Sequence, residues 1–352
     1  MITKLIKIDP NNIKEELLVE ATSILKEDGL VAFPTETVYG LGANGLHPQA
    51  SKKIYEAKGR PSDNPLILHI ADMKALDELT SGVSEDGKKL AEAFWPGPLT
   101  LIFNKSEKVP YGTTGGLETV AIRMPSHPIA YELIRQSGIY IAAPSANISG
   151  RPSPTKAEHV TEDMDGIIPM VIDGGSVSIG LESTIVDVTG KVPTILRPGY
   201  ITLDDLKEVV GEVVYDPAVL KTSMSNDIVA KAPGMKYKHY APKGQLTIYQ
   251  GDMDKVIDKI NLETKKKINE GYEVGIISTN ESKEKYLEGV VKVIGSREDE
   301  DSIARGLFDI LREFDKEDIP YIYSESFQNG RLGQAIMNRL LKAAGYHIEI
   351  LE

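Results

Sequence analysis

The chain has 352 residues, of which 41% are hydrophobic and 26% charged, a composition typical of a globular protein long enough for two domains. It contains no cysteine, which excludes disulfides, thiolate catalysis and cysteine-bound metals, and its formal net charge of −12 argues against a protein that coats nucleic acid. The N-terminus is polar by Asp9, and no stretch approaches the ~20 apolar residues that span a membrane, so we expect a cytoplasmic protein.

The first two hundred residues predict a sheet of mixed direction interleaved with helices. An amphipathic helix is expected over 13–28, and a short buried strand follows at 31–33. Because helices and strands do not alternate regularly, the pattern indicates a mixed α/β sheet rather than a simple doubly wound fold. Further strands are expected at 98–104, 119–123, 140–143, 170–173, 183–188 and 194–196, with helices near 48–57, 86–94, 127–137 and 203–210.

The rest of the chain predicts a linker and a second domain. Residues 231–243 are basic, aromatic and bounded by prolines, with two tyrosines, one histidine and four lysines, more than a passive linker needs. From 245 onward strands and helices alternate, which predicts a small three-layer α/β domain without a dinucleotide fingerprint or a Walker sequence. The predicted divisions are a domain over 10–200, a linker over 201–243 and a domain over 244–352.

The segment 58–65 carries the clearest chemical signal. Lys58 and Arg60 lie one residue apart in a stretch that a glycine and two prolines interrupt, which predicts a rigid loop able to bind a polyphosphate. A solvated surface loop is the alternative interpretation.

Four other polar segments occur at or just after predicted strands, where α/β sheets place their ligand sites. They are 34–42, Arg123, the serine- and asparagine-bearing segment 142–153, and 182–186 together with Arg197. Each has a structural alternative, which is a turn for the hydroxyls and a salt bridge for the arginines. No Gly-x-Ser-x-Gly elbow and no cysteine nucleophile occurs, so the pattern favours chemistry in which the substrates supply both nucleophile and leaving group.

Seven motifs follow one another along the chain: Pro34-Thr-Glu-Thr-Val-Tyr-Gly-Leu-Gly, Lys58-Gly-Arg-Pro, Asn64-Pro-Leu, Trp95-Pro-Gly-Pro-Leu-Thr, Arg123-Met-Pro, Pro144-Ser-Ala-Asn and Ser183-Thr-Ile-Val. Together they closely resemble the motifs of the YrdC-like threonylcarbamoyl-AMP synthases. The resemblance covers residues 10–200, while the segment from Pro233 and the trailing α/β domain look like the longer, two-domain branch. It implies an open, twisted α/β sheet followed by a smaller Rossmann-like domain.

The resemblance also implies a reaction. It is the ATP-dependent nucleotidyltransferase reaction that converts L-threonine, bicarbonate and ATP into L-threonylcarbamoyladenylate and pyrophosphate, with Mg²⁺ carried by the nucleotide. The product then serves modification of the adenosine beside the anticodon of transfer RNA. We therefore expect a downstream tRNA-modifying threonylcarbamoyl transferase as a partner, at most a weak contact with transfer RNA, and no membrane partner.

The family match assigns roles to individual residues. Lys58 and Arg60 are expected to act catalytically, as charge stabilisers. The residues expected to bind ATP are Lys58, Arg60, Asn64, Thr119, Ser145, Ser153, Arg197 and Tyr237. The residues expected to bind threonine are Thr35, His69, Arg123, Ala143 and Ser183, with Arg123 facing the carboxylate and Ala143 acting only through its backbone. No protein side chain is assigned to a metal.

Alternatives remain open at this point. His69 lies in an apolar run and is also compatible with a core residue, while Tyr237 is compatible either with packing between domains or with a lid over the nucleotide. The competing function classes are an RNA-binding module with a concave basic sheet, a transferase that uses carbamoyl-adenylate, and a regulatory nucleotide sensor.

Overall fold

The computed structural model describes residues 2–219, 232–233 and 239–352. It divides into two compact units. The first unit takes in described residues 2–149, 153–219 and 232–233, and the second takes in 150–152 and 239–352.

The first unit contains eleven strands and eight α-helices among its described residues. Its strands are β1 (Lys4–Lys7), β2 (Val31–Phe33), β3 (Gly40–Asn44), β4 (Ile67–His69), β5 (Leu99–Asn104), β6 (Thr119–Arg123), β7 (Ile141–Ala142), β8 (Met170–Asp173), β9 (Thr184–Asp187), β10 (Thr194–Arg197) and β11 (Val214–Tyr215). Its helices are α1 (Val19–Lys26), α2 (Pro48–Lys58), α3 (Ala75–Leu79), α4 (Glu85–Phe94), α5 (Tyr111–Thr114), α6 (Pro128–Ser137), α7 (Ala157–Met164) and α8 (Leu203–Val210).

These strands form one mixed sheet in the order β1-β8-β2-β3-β7-β4-β6-β5-β9-β10-β11. Neighbouring residues of β2 belong to different apolar clusters, Val31 to one and Ala32 to the other, because successive side chains of a strand point to opposite faces. One cluster takes residues from α1 and α6, and the other from α2 and α4. The sheet is therefore covered by helices on both faces, which leaves the strand ends as the places where polar groups gather.

The second unit is a smaller, parallel α/β structure. Its strands are β12 (Gln245–Gln250), β13 (Val274–Thr279), β14 (Val290–Gly295), β15 (Tyr321–Glu325) and β16 (Ile348–Ile350), and its helices are α9 (Met253–Asn269), α10 (Glu300–Lys316) and α11 (Gly333–Ala343). The sheet order is β14-β13-β15-β12-β16, and every pairing is parallel.

Helices lie on both faces of this second sheet. Ile276 packs in a cluster with residues of α9, whereas a Cβ added to its neighbour Gly275 would come within 2.4 Å of the Phe314 ring on α10. Because consecutive strand residues face opposite ways, α9 and α10 flank the sheet on different sides. The unit is thus the three-layer, Rossmann-like domain that the sequence predicts, and the mixed sheet predicted for the first unit is likewise confirmed.

Two local predictions need correction. Residues 40–42, which the sequence analysis includes in a polar loop, belong to strand β3 and pair with β2. Lys58 lies in the last turn of α2, and the loop begins at Gly59, whose φ of 60° gives that helix its left-handed C-cap. Within the described ranges, no helix is both long and apolar enough to cross a membrane.

Candidate active site

His69 and Arg123 stand side by side at the carboxyl ends of two neighbouring strands. β4 and β6 run parallel, and their register pairs His69 directly with Arg123. Both side chains are buried. The two residues belong to the predicted threonine-binding set, and the sheet register brings them together although 53 positions separate them in the sequence.

Three groups hold the guanidinium of Arg123. Its Nη2 forms a buried ion pair with Oε1 of Glu36 at 2.6 Å, its Nη1 donates to Oγ1 of Thr37 at 2.9 Å, and its Nε donates to the carbonyl of Gly97 at 3.2 Å. Glu36 is absent from the predicted site residues, although a lone carboxylate directly after a buried strand was a signal that could have pointed to it. The arginine is therefore oriented by the protein itself, as its salt-bridge alternative supposes.

Burial and this ion pair set the protonation states in the group. Burial alone raises the pKa of Glu36, but the charge and hydrogen bond of Arg123 outweigh it, so the pKa lies below its ordinary value. Burial, and secondarily the charge of Arg123, lowers the pKa of His69 to about 3. Nδ1 of His69 lies 3.1 Å from the carbonyl oxygen of Ile67, so the neutral ring donates there. At neutral pH the carboxylate is charged and the imidazole is not.

Two other members of the predicted threonine set lie near this pair. Oγ1 of Thr35 is 2.9 Å from Oγ1 of Thr37, the same hydroxyl that accepts from Arg123. The amide of Ala143 donates to a carbonyl of β4, the strand that carries His69, at 2.9 Å. Four of the five predicted threonine residues are therefore linked by contacts: His69 pairs with Arg123, Thr35 reaches Arg123 through Thr37, and Ala143 bonds to the first residue of β4.

The fifth member of the predicted threonine set, Ser183, lies in a second polar group, which also contains Arg197. Oγ of Ser183 lies 2.7 Å from Oγ1 of Thr100. Arg197 is buried at the end of β10, and it donates from Nη2 to Oγ and from Nε to the carbonyl of Ser183, both at 3.1 Å. Its Nη1 donates to the carbonyl of Pro233 at 3.4 Å.

The backbone between 178 and 183 connects these two groups. The amide of Ile179 donates to the carbonyl of Glu36 at 2.9 Å, and the amide of Gly180 donates to the carbonyl of Thr37 at 3.1 Å. Ser183 follows three residues later, so the hydroxyls and arginines of both groups share one continuous region of the first unit.

Lys58 is buried and ties helix α2 to Ser145 and Asn147. Its Nζ donates to the carbonyl of Ser145 at 2.5 Å and also to the carbonyl of Asn147. Oγ of Ser145 in turn donates to Oδ1 of Asn147 at 2.5 Å. The surface-loop interpretation is thus wrong for this lysine, because its ammonium is internal and organises the Ser-Ala-Asn segment.

Arg60 is buried as well and braces its own loop. Its Nε donates to the carbonyl of Asn64 at 3.3 Å, and its Nη2 donates to the carbonyl of Pro65 at 3.1 Å. Oδ1 of Asn64 is buried and makes no hydrogen bond within the described part of the chain. This amide oxygen therefore retains capacity for a donor that the protein does not supply.

The remaining predicted ATP residues occupy different places. Oγ of Ser153 donates to Oε1 of Glu182 at 2.5 Å, and both side chains are buried. Thr119 begins β6 and Arg123 ends it, so about 13 Å of strand separates them and the structure does not bring Thr119 to the arginine end. Tyr237 lies outside the described residues.

The fold and these strand ends define an α/β protein in which buried cations, hydroxyls and amides lie near the strand ends and one carboxylate is paired with an arginine. The profile named for Sua5, YciO and YrdC and described as Telomere recombination matches residues 23–199. The profile described as Threonylcarbamoyl-AMP synthase, C-terminal domain, matches residues 201–345. The chain therefore belongs to the Sua5/YciO/YrdC family, in its two-domain form.

Similar proteins agree over nearly the whole length. The chain is 50% identical over 328 residues to a threonylcarbamoyl-AMP synthase of Pyrococcus abyssi, which covers 93% of this chain and 94% of that relative. It is 49% identical over 329 residues to the Bacillus subtilis protein of the same name, with 93% of each chain covered.

Solved structures agree with these relatives. A crystal structure of P. abyssi Sua5 complexed with L-threonine matches with a TM-score of 0.93 at 48% identity, over 99% of this chain and all of that one. Escherichia coli YciO matches with a TM-score of 0.52 at 23% identity over 56% of this chain and 97% of that one, which shows a shared fold for the first unit.

Proposed function

We propose that this protein condenses L-threonine, bicarbonate and ATP into L-threonylcarbamoyladenylate and pyrophosphate. The observation that carries the proposal is the identity of 50%, across 93% of the chain, with a relative named for that product. A structure of P. abyssi Sua5 that contains L-threonine supports the amino acid as one substrate. The product would feed a downstream tRNA-modifying threonylcarbamoyl transferase in the cytoplasm, with weak contact to transfer RNA at most.

The reaction needs no nucleophile from the protein. The amine of threonine combines with carbon dioxide derived from bicarbonate and loses a proton, which gives a carbamate. An oxygen of that carbamate attacks the α-phosphorus of ATP, and the bond to the bridging oxygen breaks as pyrophosphate leaves. The protein's task is to hold the two substrates in line and to stabilise the negative charge that develops on the phosphates.

The threonine would bind at the ends of β4 and β6. Arg123 is buried, charged and already oriented by Glu36, Thr37 and Gly97, so its planar fork is held in a fixed direction and would bind the threonine carboxylate without further ordering. His69 is neutral beside it, because burial and the arginine lower its pKa to about 3, and it can donate or accept hydrogen bonds but does not add a charge. Thr35, Ala143 and Ser183 would complete this subsite.

The ATP would bind along the neighbouring strand ends and the segment 142–153. Lys58, Arg60 and Arg197 would stabilise the triphosphate charge, with Asn64, Thr119, Ser145, Ser153 and Tyr237 as further contacts. The two ends of β6 carry Thr119 and Arg123, so a nucleotide that contacts Thr119 has to extend along the sheet toward the threonine subsite. The proposed reaction requires the phosphates, rather than the base, to lie next to the amino acid, because the carbamate attacks the α-phosphorus.

The residues present fit a Mg²⁺ ion that arrives with the nucleotide. Among the described residues no group of three or more histidines or carboxylates could hold a metal by itself. Mg²⁺ commonly binds to phosphate oxygens together with only one or two carboxylates, and one buried carboxylate, Glu182, lies beside Ser153 of the predicted ATP set. When bound, the ion would withdraw charge from the triphosphate.

The deciding experiment measures pyrophosphate release from ATP with threonine, bicarbonate and Mg²⁺. We expect release that depends on both threonine and bicarbonate, and an Arg123→Lys variant should raise the threonine KM at least about tenfold while the ATP KM changes little, because lysine keeps the charge but loses the planar fork.

No release with any amino acid would contradict the proposed function. ATP-dependent carbamoyl transfer without a threonine requirement would favour the carbamoyl-adenylate alternative. If Arg123→Lys raises the KM for threonine and the KM for ATP equally, Arg123 does not bind the threonine carboxylate specifically. The proposed reaction would still stand in that case.

A further inference from the structure

Strand β5 presents the side chain of Thr100 on one particular face of the first sheet. Leu101 belongs to a different apolar cluster from its neighbour Ile102, which packs in a second cluster with Ile67 and Ala121. Because successive side chains of a strand point to opposite faces, Thr100 lies on the face of Ile102 and not on that of Leu101. Thr100 is fully buried and ends the Trp-Pro-Gly-Pro-Leu-Thr motif.

The same face carries the two residues proposed to bind threonine at the ends of β4 and β6. His69 and Arg123 each lie two positions after a member of that second cluster, so they face the same way as Thr100. Strand β5 runs antiparallel to β6 and begins where β6 ends, which places Thr100 at the same edge of the sheet as Arg123. Thr100 is therefore a hydroxyl beside the proposed threonine subsite that the predicted set does not contain.

Thr100 and Ser183 together have one proton more than their contacts use. Their hydroxyl oxygens are 2.7 Å apart, and Oγ of Ser183 also accepts from Nη2 of Arg197 at 3.1 Å. Neither hydroxyl makes another hydrogen bond within the described part of the chain. Two hydroxyls carry two protons and the bond between them uses only one, so the second proton has no acceptor among the described residues.

We propose that Thr100 donates to Oγ of Ser183 and thereby directs the proton of Ser183 toward an oxygen of the bound threonine. This inference rests on the proposed function, in which Ser183 contacts threonine. With Thr100 and Arg197 both donating, the two lone pairs of Ser183 are occupied, so its hydroxyl can meet the ligand only as a donor.

The charge of Arg197 strengthens this arrangement. A hydroxyl that accepts from a guanidinium is polarised, which makes it a stronger donor to a negatively charged oxygen. Ser183 therefore recognises an oxygen of threonine and not its ammonium group. Thr100 is a positioning residue, because it acts on the ligand only through the direction that it gives to the Ser183 hydroxyl.

The experiment is a calorimetric titration of L-threonine into the full-length protein, without ATP or bicarbonate, for the wild type and a double-mutant cycle. Ser183→Ala should raise the threonine Kd about tenfold or more, since a hydrogen bond to a charged group is lost. Thr100→Val should raise the Kd several-fold, and Thr100→Ser, which restores the hydroxyl, should return it to within about twofold of the wild type. Because Thr100 acts through Ser183, adding Thr100→Val to Ser183→Ala should change the Kd by less than about twofold.

Thr80→Val is the matched control, because the hydroxyl of Thr80 is also buried and donates to the carbonyl of Leu76 at 2.8 Å, outside the predicted site. This control should lower the Tm and leave the threonine Kd unchanged. A purely structural role of Thr100 would likewise lower the Tm, or the fraction of protein that binds threonine, with an unchanged Kd.

Three results would overturn the role of Thr100: an unchanged Kd in Thr100→Val, binding by Thr100→Ser that is as weak as that of Thr100→Val, or an equal effect of Thr100→Val with and without the Ser183 hydroxyl. A wild type that binds no threonine overturns it as well. The titration contains no ATP, so threonine binding that depends on Thr100 in a protein that releases no pyrophosphate would contradict the proposed reaction and leave the role of Thr100 standing.

Discussion

At the scale of single residues, the site depends on charges that the protein has paired or neutralised in advance. Arg123 and Glu36 form an ion pair with side-chain exposures of only 4% and 7%, and removing either partner would leave an uncompensated buried charge. His69 avoids the same problem by remaining neutral. A ligand that enters this region therefore meets oriented groups rather than mobile ones, which lowers the ordering cost of binding.

The protonation of His69 predicts a pH dependence of stability. An unfolded histidine takes up its proton near pH 6.5, whereas His69 in the folded protein does so only near pH 3, because burial and Arg123 oppose the charge. Between these values the unfolded state binds one more proton, so stability falls as the pH is lowered. This one residue should cost the wild type about 1.4 kcal/mol of unfolding free energy per pH unit below pH 6.5.

Urea unfolding of the wild type and His69→Asn at several pH values measures this contribution. The unfolding free energy of the wild type minus that of His69→Asn should stay constant above pH 7. It should then fall steadily from pH 6.5 down to pH 5. A difference that is the same at pH 5 and pH 8 would show that His69 gains its proton in the folded protein as easily as in the unfolded chain.

At the scale of elements, the last turn of helix α2 connects the fold to the site. Lys58 ends this helix and donates to the carbonyls of Ser145 and Asn147, so the position of the helix fixes the position of these two residues. The same lysine that is proposed to stabilise phosphate charge is thus also a structural tether. The Lys58 ammonium can be buried at a helix end because backbone carbonyls accept its hydrogen bonds.

The tether predicts a stability difference between two lysines of one helix. Lys58→Met leaves the buried carbonyl of Asn147 and the partly buried carbonyl of Ser145 without their charged donor and should lower the unfolding free energy by about 2 kcal/mol or more, since an unsatisfied buried group costs about 1–3 kcal/mol. Lys52→Met on the exposed face of α2 removes only a surface pair with Glu56 and should change stability by about 0.5 kcal/mol or less. Chemical denaturation measures both variants, and equal effects would show that the Lys58 contacts contribute little.

The elements that the sequence predicts well are those with strong apolar periodicity. The helix of 48–58 and the strands at 119–123 and 170–173 are predicted within a residue or two, because their buried faces repeat at the period of the element. Strand β3 was missed because it contains Gly40 and Gly42, which weaken a strand signal. The structure shows why glycine is needed there: a Cβ at Gly42 would come within 2.8 Å of the side chains of Ile141 and Phe33.

The sequence indicates which residues could form the site, but not which of them contact one another. Arg123 at a strand end and Lys58 near a glycine were visible in the sequence, and the family motifs supplied their roles. The pairing of His69 with Arg123 depends on which strands become neighbours in the sheet, and that information lies in long-range packing rather than in local pattern. The partnership of Glu36 with Arg123 and that of Glu182 with Ser153 were missed for the same reason.

At the scale of the whole molecule, the cations proposed to bind anions are internal while the chain as a whole is acidic. Lys58, Arg60, Arg123 and Arg197 are each exposed by 9% or less, and the formal net charge is −12. An RNA-binding module needs cations on a broad surface that a phosphate backbone can follow. Buried cations instead suit a small anionic ligand that enters the protein, which favours the nucleotide over the nucleic acid.

The segment between the two units offers a last prediction about how the nucleotide is held. Its described residues Ala232 and Pro233 belong to the first unit, where Ala232 is buried beside Leu196 and the carbonyl of Pro233 accepts from Arg197. The next residues carry Tyr237, which the sequence predicts to bind ATP, and two lysines, which are groups suited to a nucleotide. Replacing 234–238 by five glycine and serine residues should therefore raise the ATP KM at least about tenfold, since a phenol and two cations are lost.

An equal replacement at 220–224 is the matched control, because it changes the same length of the same connecting segment without removing Tyr237. We expect the control to keep an ATP KM within about twofold of the wild type, since flexible replacements of equal length alter chain entropy only slightly. Steady-state pyrophosphate release at varied ATP measures all three proteins. If both replacements raise the ATP KM to the same extent, the segment matters only as a connection, and Tyr237 and its neighbouring lysines have no direct part in binding the nucleotide.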